Sequence, residues 1–172
     1  MRTVINFDFM WGHPARWLAL GMGSGLVRFA PGTVGTLWAW AVFLLLNVVL
    51  NPVAWSALLL VAWMVGCWAC TRTAQELCQS DPSCIVWDEV VAFWLMLWMI
   101  TPCSLAEQAV ALGLFRFFDA VKPGPVGWVD AYFKKLVTPH EGWKTGFGIM
   151  LDDLVAVFCA LLVMALWKTS IG

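Results

Sequence analysis

Apolar residues gather into five long runs divided by short polar breaks. The first extends from about Leu37 to Leu50 and stops at Asn51-Pro52. The second extends from Val53 to about Cys70. The third covers Ile85 to Ile100 and stops at Thr101-Pro102, the fourth about Cys103 to Phe118, and the fifth about Ile149 to Trp167. A helix needs about 20 residues, within a range of about 17–25, to cross a bilayer. Several runs reach that length only when their polar ends serve as interfacial turns. The breaks at Asn51-Pro52 and Thr101-Pro102 are so short that runs one and two, and runs three and four, are predicted as antiparallel hairpins. The expected fold is all-α: a polytopic membrane helix bundle of about five membrane-embedded helices plus interfacial segments, in one domain over 1–172.

Composition strengthens this reading. Of 172 residues, 62% are hydrophobic and 12% charged, with a mean hydropathy of +0.81. Soluble domains carry roughly 45–50% apolar and about 25% charged residues. So few charges could not cover that apolar surface in water, whereas lipid solvates it directly. Tryptophan favours the headgroup level, and Trp11, Trp17, Trp38, Trp128 and Trp143 are expected as belt anchors. The amphiphilic stretch Trp128–Leu136 is expected along the membrane surface, with Lys134 and Lys135 drawn to anionic lipid. No cleaved leader is expected, because the first long apolar run starts near Thr36.

Charge placement sets the topology. With the N-terminus inside, segments 1–36, 71–84 and 119–148 and the adjoining helix ends share one side. Nine of the ten Lys and Arg then lie there, and only Lys168 lies opposite. The positive-inside rule assigns the basic side to the cytoplasm. Asp88 and Glu89 open the third run, Asp119 follows the fourth, and Asp152 and Asp153 open the fifth. All five acids therefore fall at cytoplasmic helix ends. Acids at such depth are costly and mark function. The helix dipole favours an acid at an N-terminus but opposes Asp119 at a C-terminal end.

Carboxylates converging from three helices repel unless a cation neutralises them. A hard divalent ion such as Mg²⁺ takes oxygen ligands, so the same five acids are the candidate metal ligands. Adjacent helical residues point about 100° apart, so Asp88 and Glu89, and likewise Asp152 and Asp153, are expected to diverge. Arg116 lies three residues before Asp119 on the same face, and Lys122 follows. These two bases would clamp an anion whose other oxygens face the metal. The stretch GSGLVRFAPGTVGT, from Gly23 to Thr36, offers Ser24, Arg28, Thr33, Thr36 and free backbone N–H groups as further anion-binding elements. It lacks the Gly-Lys-Ser/Thr of a Walker loop. Acids, bases and this loop at one membrane face point to metal-assisted phosphate chemistry.

Six cysteines are present. Cys67 and Cys70 form a CxxC, but in an apolar run and without a second CxxC from Cys78 and Cys84. Packing is the reading for them, ahead of zinc or disulfides. His13 and His140 are assigned no role.

Four blocks resemble those of the phosphatidylglycerophosphatase A family: GSGLVRFAPGTVGT from Gly23, IVWDEVVAFW from Ile85, FRFFDAVKPGPV from Phe115, and GFGIMLDDLVAV from Gly146. They occur in the family's order. The resemblance implies removal of the terminal phosphate of phosphatidylglycerophosphate, Mg²⁺ dependence and a bacterial inner-membrane location. It implies that Asp88, Glu89, Asp119, Asp152 and Asp153 form the site, with Arg116 and Lys122 as phosphate partners. Val27-Arg28 stands where the family pattern has a small residue and Pro. The partners expected are the lipid substrate and the bilayer, not nucleic acid. The rival reading is a divalent-cation transporter or channel, which would place polar residues near the midplane.

Overall fold

The computed structural model describes residues 4–136 and 142–171, and every regular element among them is helical. Two short helices, α1 (Phe7–Trp11) and α2 (Pro14–Ala19), lead into a 3₁₀ segment over Gly21–Leu26. Then follow α3 (Pro31–Leu46), α4 (Pro52–Leu77), α5 (Trp87–Ile100), α6 (Leu105–Val121), α7 (Pro125–Leu136) and α8 (Trp143–Ile171). Arg2 and His140, and the side chains of Lys134 and Lys135, lie outside what is described.

The five apolar runs become α3, α4, α5, α6 and α8. Their boundaries shift because hydropathy ends where the polar zone begins, while a helix continues into it. Thus α3 starts at Pro31, whose fixed φ suits a first helical position. Helix α4 runs past Cys70 to Leu77 and stops at Cys78, whose φ is 53°. Its start is fixed by Asn51, whose Oδ1 accepts from the Ala54 N–H at 2.8 Å. A reciprocal pair between Ser104 and Glu107 opens α6.

Among the described residues only two helices, Pro52–Leu77 and Trp143–Ser170, are both long and apolar enough to cross a membrane. Helices α3, α5 and α6 have 16, 14 and 17 residues. At about 1.5 Å per residue they span roughly 21–26 Å, short of a hydrocarbon core of about 30 Å. Outward apolar side chains are plentiful on the long pair: Leu60 is 63% exposed, Met64 64% and Leu162 66%.

Helix α5 is the centre of the bundle. It packs on α3, α4 and α8, and most of its residues from Trp87 to Leu97 are buried. A helix that is hydrophobic all round belongs in such a position. Its indoles find partners there: Trp94 Nε1 donates to the Ala39 carbonyl at 2.9 Å and Trp87 Nε1 to that of Ala62 at 3.1 Å. Helix α3 takes its main contacts from α5 and not from its sequence neighbour α4, and α4 packs chiefly on α8. Runs one and two still meet at their turn, where the Phe43 and Trp55 rings lie 4.8 Å apart and Trp55 Nε1 donates to Asn47 Oδ1 at 3.1 Å. Trp11, Trp128 and Trp143 are exposed as belt residues should be, whereas Trp17 and Trp38 are partly buried against the core.

Two contacts fix the helix directions. The Gly146 N–H donates to Thr71 Oγ1 at 3.0 Å, joining the start of α8 to the last third of α4. Lys168 pairs with Glu107 at 2.7 Å, joining the end of α8 to the start of α6. Asp152 and Lys168, 16 residues apart on α8, are thereby separated by about 24 Å along the axis.

Candidate active site

One cavity of about 260 Å³ opens where α5 begins and α6 ends. Asp88 and Glu89 come from α5, Arg116 and Asp119 from α6, and Asp152 and Asp153 from α8. Lys122, the residue that closes α6, completes the set. All seven charged residues singled out from helix-end positions thus face one space. The structure adds a fourth wall, Ala30, Pro31 and Gly32 at the start of α3.

Arg116 joins two helices. Its Nη1 lies 2.6 Å from Glu89 Oε1 and 2.5 Å from Asp119 Oδ2. The i, i+3 spacing on α6 makes the second contact possible, and Arg116 offsets the unfavourable dipole at Asp119. Glu89 also lies against the N-terminus of α3, which has no side-chain cap. That positive helix end favours a carboxylate. The approach is close enough that a Cβ on Gly32 would overlap the Glu89 carboxylate. Glycine at 32 is therefore a requirement of the site.

Lys122 makes the second clamp. Its Nζ pairs with Asp152 and, at 2.6 Å, with Asp130. Lys122 adopts the left-handed conformation, φ 48°, and so turns its side chain back at the end of α6. Burial alone would lower its pKa, but Asp152 and Asp130 carry it above the ordinary lysine value. Asp130 belongs to α7, so this contact ties α7 to the site.

The adjacent acid pairs divide as the helical rotation predicts. Glu89 takes Arg116 and Asp152 takes Lys122. Their neighbours Asp88 and Asp153 are buried, at 8% and 3% exposure. Three buried carboxylate oxygens, Asp88 Oδ1, Glu89 Oε2 and Asp153 Oδ2, have no hydrogen-bond partner among the described residues. Unpaired buried acceptors are costly and call for a partner. Among the described residues no three Asp, Glu, His or Cys side chains are spaced as a closed metal cluster. The donors are all oxygen, however, and Asp88, Glu89 and Asp153, which carry the unpaired atoms, line one cavity, so in donor chemistry the residues fit a hard divalent cation.

The glycine-rich stretch serves the site differently from expectation. Ser24 Oγ donates to the Gly21 carbonyl at 2.9 Å, and Thr36 Oγ1 to that of Gly32 at 2.8 Å. Both hydroxyls are spent on local backbone, and neither they nor Thr33 line the cavity. Arg28 lines an adjoining cavity instead. The stretch contributes through its backbone at residues 30–32.

Two polar lining residues were not singled out from sequence, Asp81 and Ser83 in the α4–α5 connection, nor was Asp130, which pairs with Lys122 behind the cavity wall. The signal for Asp130 was its position eight residues after Lys122, across the Pro123-Gly124-Pro125 turn. Asp81 stands in a polar turn and gives no such signal. Cys70 and Cys84 are buried, and burial pushes the Cys84 thiol up to about 11, whereas Cys78 is exposed. His13 Nδ1 accepts from the Ala15 N–H at 3.1 Å and caps α2.

Comparison with known proteins places this geometry in a family. The family model described as Phosphatidylglycerophosphatase A matches residues 17–168. The chain is 34% identical over 152 residues to the Phosphatidylglycerophosphatase A of Haemophilus influenzae, covering 88% of this chain and 87% of that one. Against the protein of the same name in Escherichia coli it is 33% identical over 155 residues, covering 90% and 84%. A protein of Bacteroides thetaiotaomicron, provisionally assigned as a phosphatidylinositol-3-phosphatase, is 33% identical over 162 residues, covering 90% and 94%. No solved structure matches the chain with significance. The matched region takes in all four walls of the cavity, and on that breadth of similarity the chain belongs to the phosphatidylglycerophosphatase A family.

Proposed function

We propose that this cavity hydrolyses the terminal phosphomonoester of phosphatidylglycerophosphate, giving phosphatidylglycerol and phosphate, with Mg²⁺ as cofactor. One observation carries the proposal: two basic side chains and six acids face a single cavity, and three buried carboxylate oxygens of those acids lack hydrogen-bond partners among the described residues. The lipid is taken from the names of the Haemophilus and Escherichia relatives.

Arg116 and Lys122 each bridge two carboxylates in the structure. A phosphate entering the cavity competes for the same donors, and Arg116 can hold two of its oxygens with one planar fork. Asp88 and Asp153 would hold Mg²⁺, with Glu89, Asp119 or Asp152 completing its oxygen ligands. Bound there, Mg²⁺ would neutralise charge on the phosphoryl oxygens and make phosphorus a better electrophile. A carboxylate of the set takes the proton of an attacking water. Attack by a carboxylate itself, through an aspartyl phosphate, is the competing route. Oxygen-18 uptake from labelled water in a single turnover separates the two.

The membrane reading follows the same face. We place the chain in the bacterial inner membrane as a multi-pass protein, with the cavity on the cytoplasmic side. Helices α4 and α8 cross fully, and the shorter α3, α5 and α6 are embedded beside them. Support comes from the gathering of basic residues on the cavity side of the sequence and from the Glu107–Lys168 pair, the one ion pair at the other end among the described residues. Nothing in the fold or the relatives supports a divalent-cation transporter.

The test is phosphate release from phosphatidylglycerophosphate in detergent micelles, with Mg²⁺ and with EDTA. Release that stops in EDTA and returns with Mg²⁺ is expected. Well-folded protein that releases no phosphate with any divalent metal overturns the proposal.

A further inference from the structure

A second cavity, of about 190 Å³, adjoins the first and shares Pro31 and Ser83 with it. Its remaining lining is Ile5, the backbone stretch Gly25–Leu26–Val27, Arg28 and Cys84. The two cavities differ in charge. The first mixes six acids with Arg116 and Lys122. The second has one cation and no acid.

Arg28 also differs from the other arginines. Arg16 and Arg72 pair with Glu76, and Arg116 with Glu89 and Asp119. Arg28 is exposed and has no ion pair among the described residues. Its flanks are apolar and exposed, Val27 by 41% and Phe29 by 87%, with Ile5 across the cavity at 39%. A guanidinium between exposed apolar side chains suits a membrane surface, where the apolar groups enter lipid and the cation meets phosphate.

The substrate reading supplies a ligand. Phosphatidylglycerophosphate carries two phosphates, a monoester at one end of its headgroup glycerol and a diester at the other. The diester joins the headgroup to diacylglycerol and must lie nearer the lipid. We infer that the second cavity is the subsite for this lipid phosphodiester, and that Arg28 determines specificity by binding it. The inference rests on the phosphatase reading above. Acids that help to hold a cation in the first cavity are not needed in the second, where an anion binds to a guanidinium and backbone alone. A lipid with a single phosphomonoester directly on diacylglycerol, such as phosphatidic acid, cannot fill both cavities with phosphate.

The experiment compares wild type, Arg28→Ala and Arg28→Lys on phosphatidylglycerophosphate and phosphatidic acid of matched chains in the same micelles. Phosphatidic acid is scored by its hydrolysis, or by its competition where it is turned over too slowly. The preference for phosphatidylglycerophosphate is expected to fall about five- to tenfold in Arg28→Ala, as a rise in KM with kcat little changed. Arg28→Lys should restore part of it, since charge is kept and the fork is lost. An unmoved preference, including an equal loss on both lipids, overturns the subsite while leaving the phosphatase reading in place. Wild-type protein that releases no phosphate overturns that reading and the subsite with it.

Discussion

Arg116 holds Glu89 at 2.6 Å and Asp119 at 2.5 Å, so one guanidinium ties the first turn of α5 to the last turn of α6. Without it two largely buried carboxylates would face each other unneutralised. Arg116→Ala is expected to lower phosphate release roughly 10²–10³-fold, the scale of losing a preorganised electrostatic donor. Arg116→Lys keeps the charge but not the fork and should recover only part of the rate. Steady-state kinetics on protein with an unchanged size-exclusion profile checks both.

Gly32 has no reactive group, yet its position is set by the chemistry. A Cβ there would overlap the Glu89 carboxylate, whereas a Cβ on Gly113, midway along α6, meets nothing within 4 Å. Gly32→Ala should therefore cost at least about tenfold in activity by displacing Glu89. Gly113→Ala should leave activity intact and stabilise α6 by about 0.5–1 kcal/mol. Parallel activity and thermal-unfolding measurements on the two variants provide the comparison.

Cysteine labelling reports the topology. Cys78, at the end of α4, is exposed at the cavity end, and Cys103 precedes α6 at the opposite end. In single-cysteine variants, a membrane-impermeant maleimide should label Cys78 only from the cytoplasmic side and Cys103 only from the other. Cys84 should resist labelling at neutral pH, because it is buried and its thiol, at about 11, supplies little reactive thiolate. Labelling of Cys78 and Cys103 from the same side contradicts the proposed orientation.

Much of the site was legible because charge inside an apolar run is expensive and must be explained. The helix-end positions of Asp88, Glu89, Arg116, Asp119, Lys122, Asp152 and Asp153 were enough to place them together. The rotation of 3.6 residues per turn was enough to divide each acid pair. Asp81 gives no signal because an acid in a polar turn reads as a solvated one, and Asp130, on an amphipathic helix, is set apart only by its spacing from Lys122. Ser24 and Thr36 lie away from the cavity lining, and the sequence does not show it. A hydroxyl that bonds a carbonyl three or four residues back leaves no mark in the sequence. The number of full spans was not legible, because an apolar run fixes burial, not helix length. Helix α5 is as apolar as a membrane span, yet it has 14 residues and is buried by protein.

The central claim is that Asp88 and Asp153 offer their unpaired oxygens to the Mg²⁺ that phosphate release requires. Its most direct test is phosphate release from phosphatidylglycerophosphate across a Mg²⁺ titration, for wild type, Asp88→Asn and Asp153→Asn. The asparagine variants keep size and polarity but lose the charge. We predict metal-dependent release by the wild type, and in each variant a loss of at least about 10²-fold with a raised Mg²⁺ requirement. Wild-type release that persists in EDTA, or variants that match the wild type at every Mg²⁺ concentration, would contradict it.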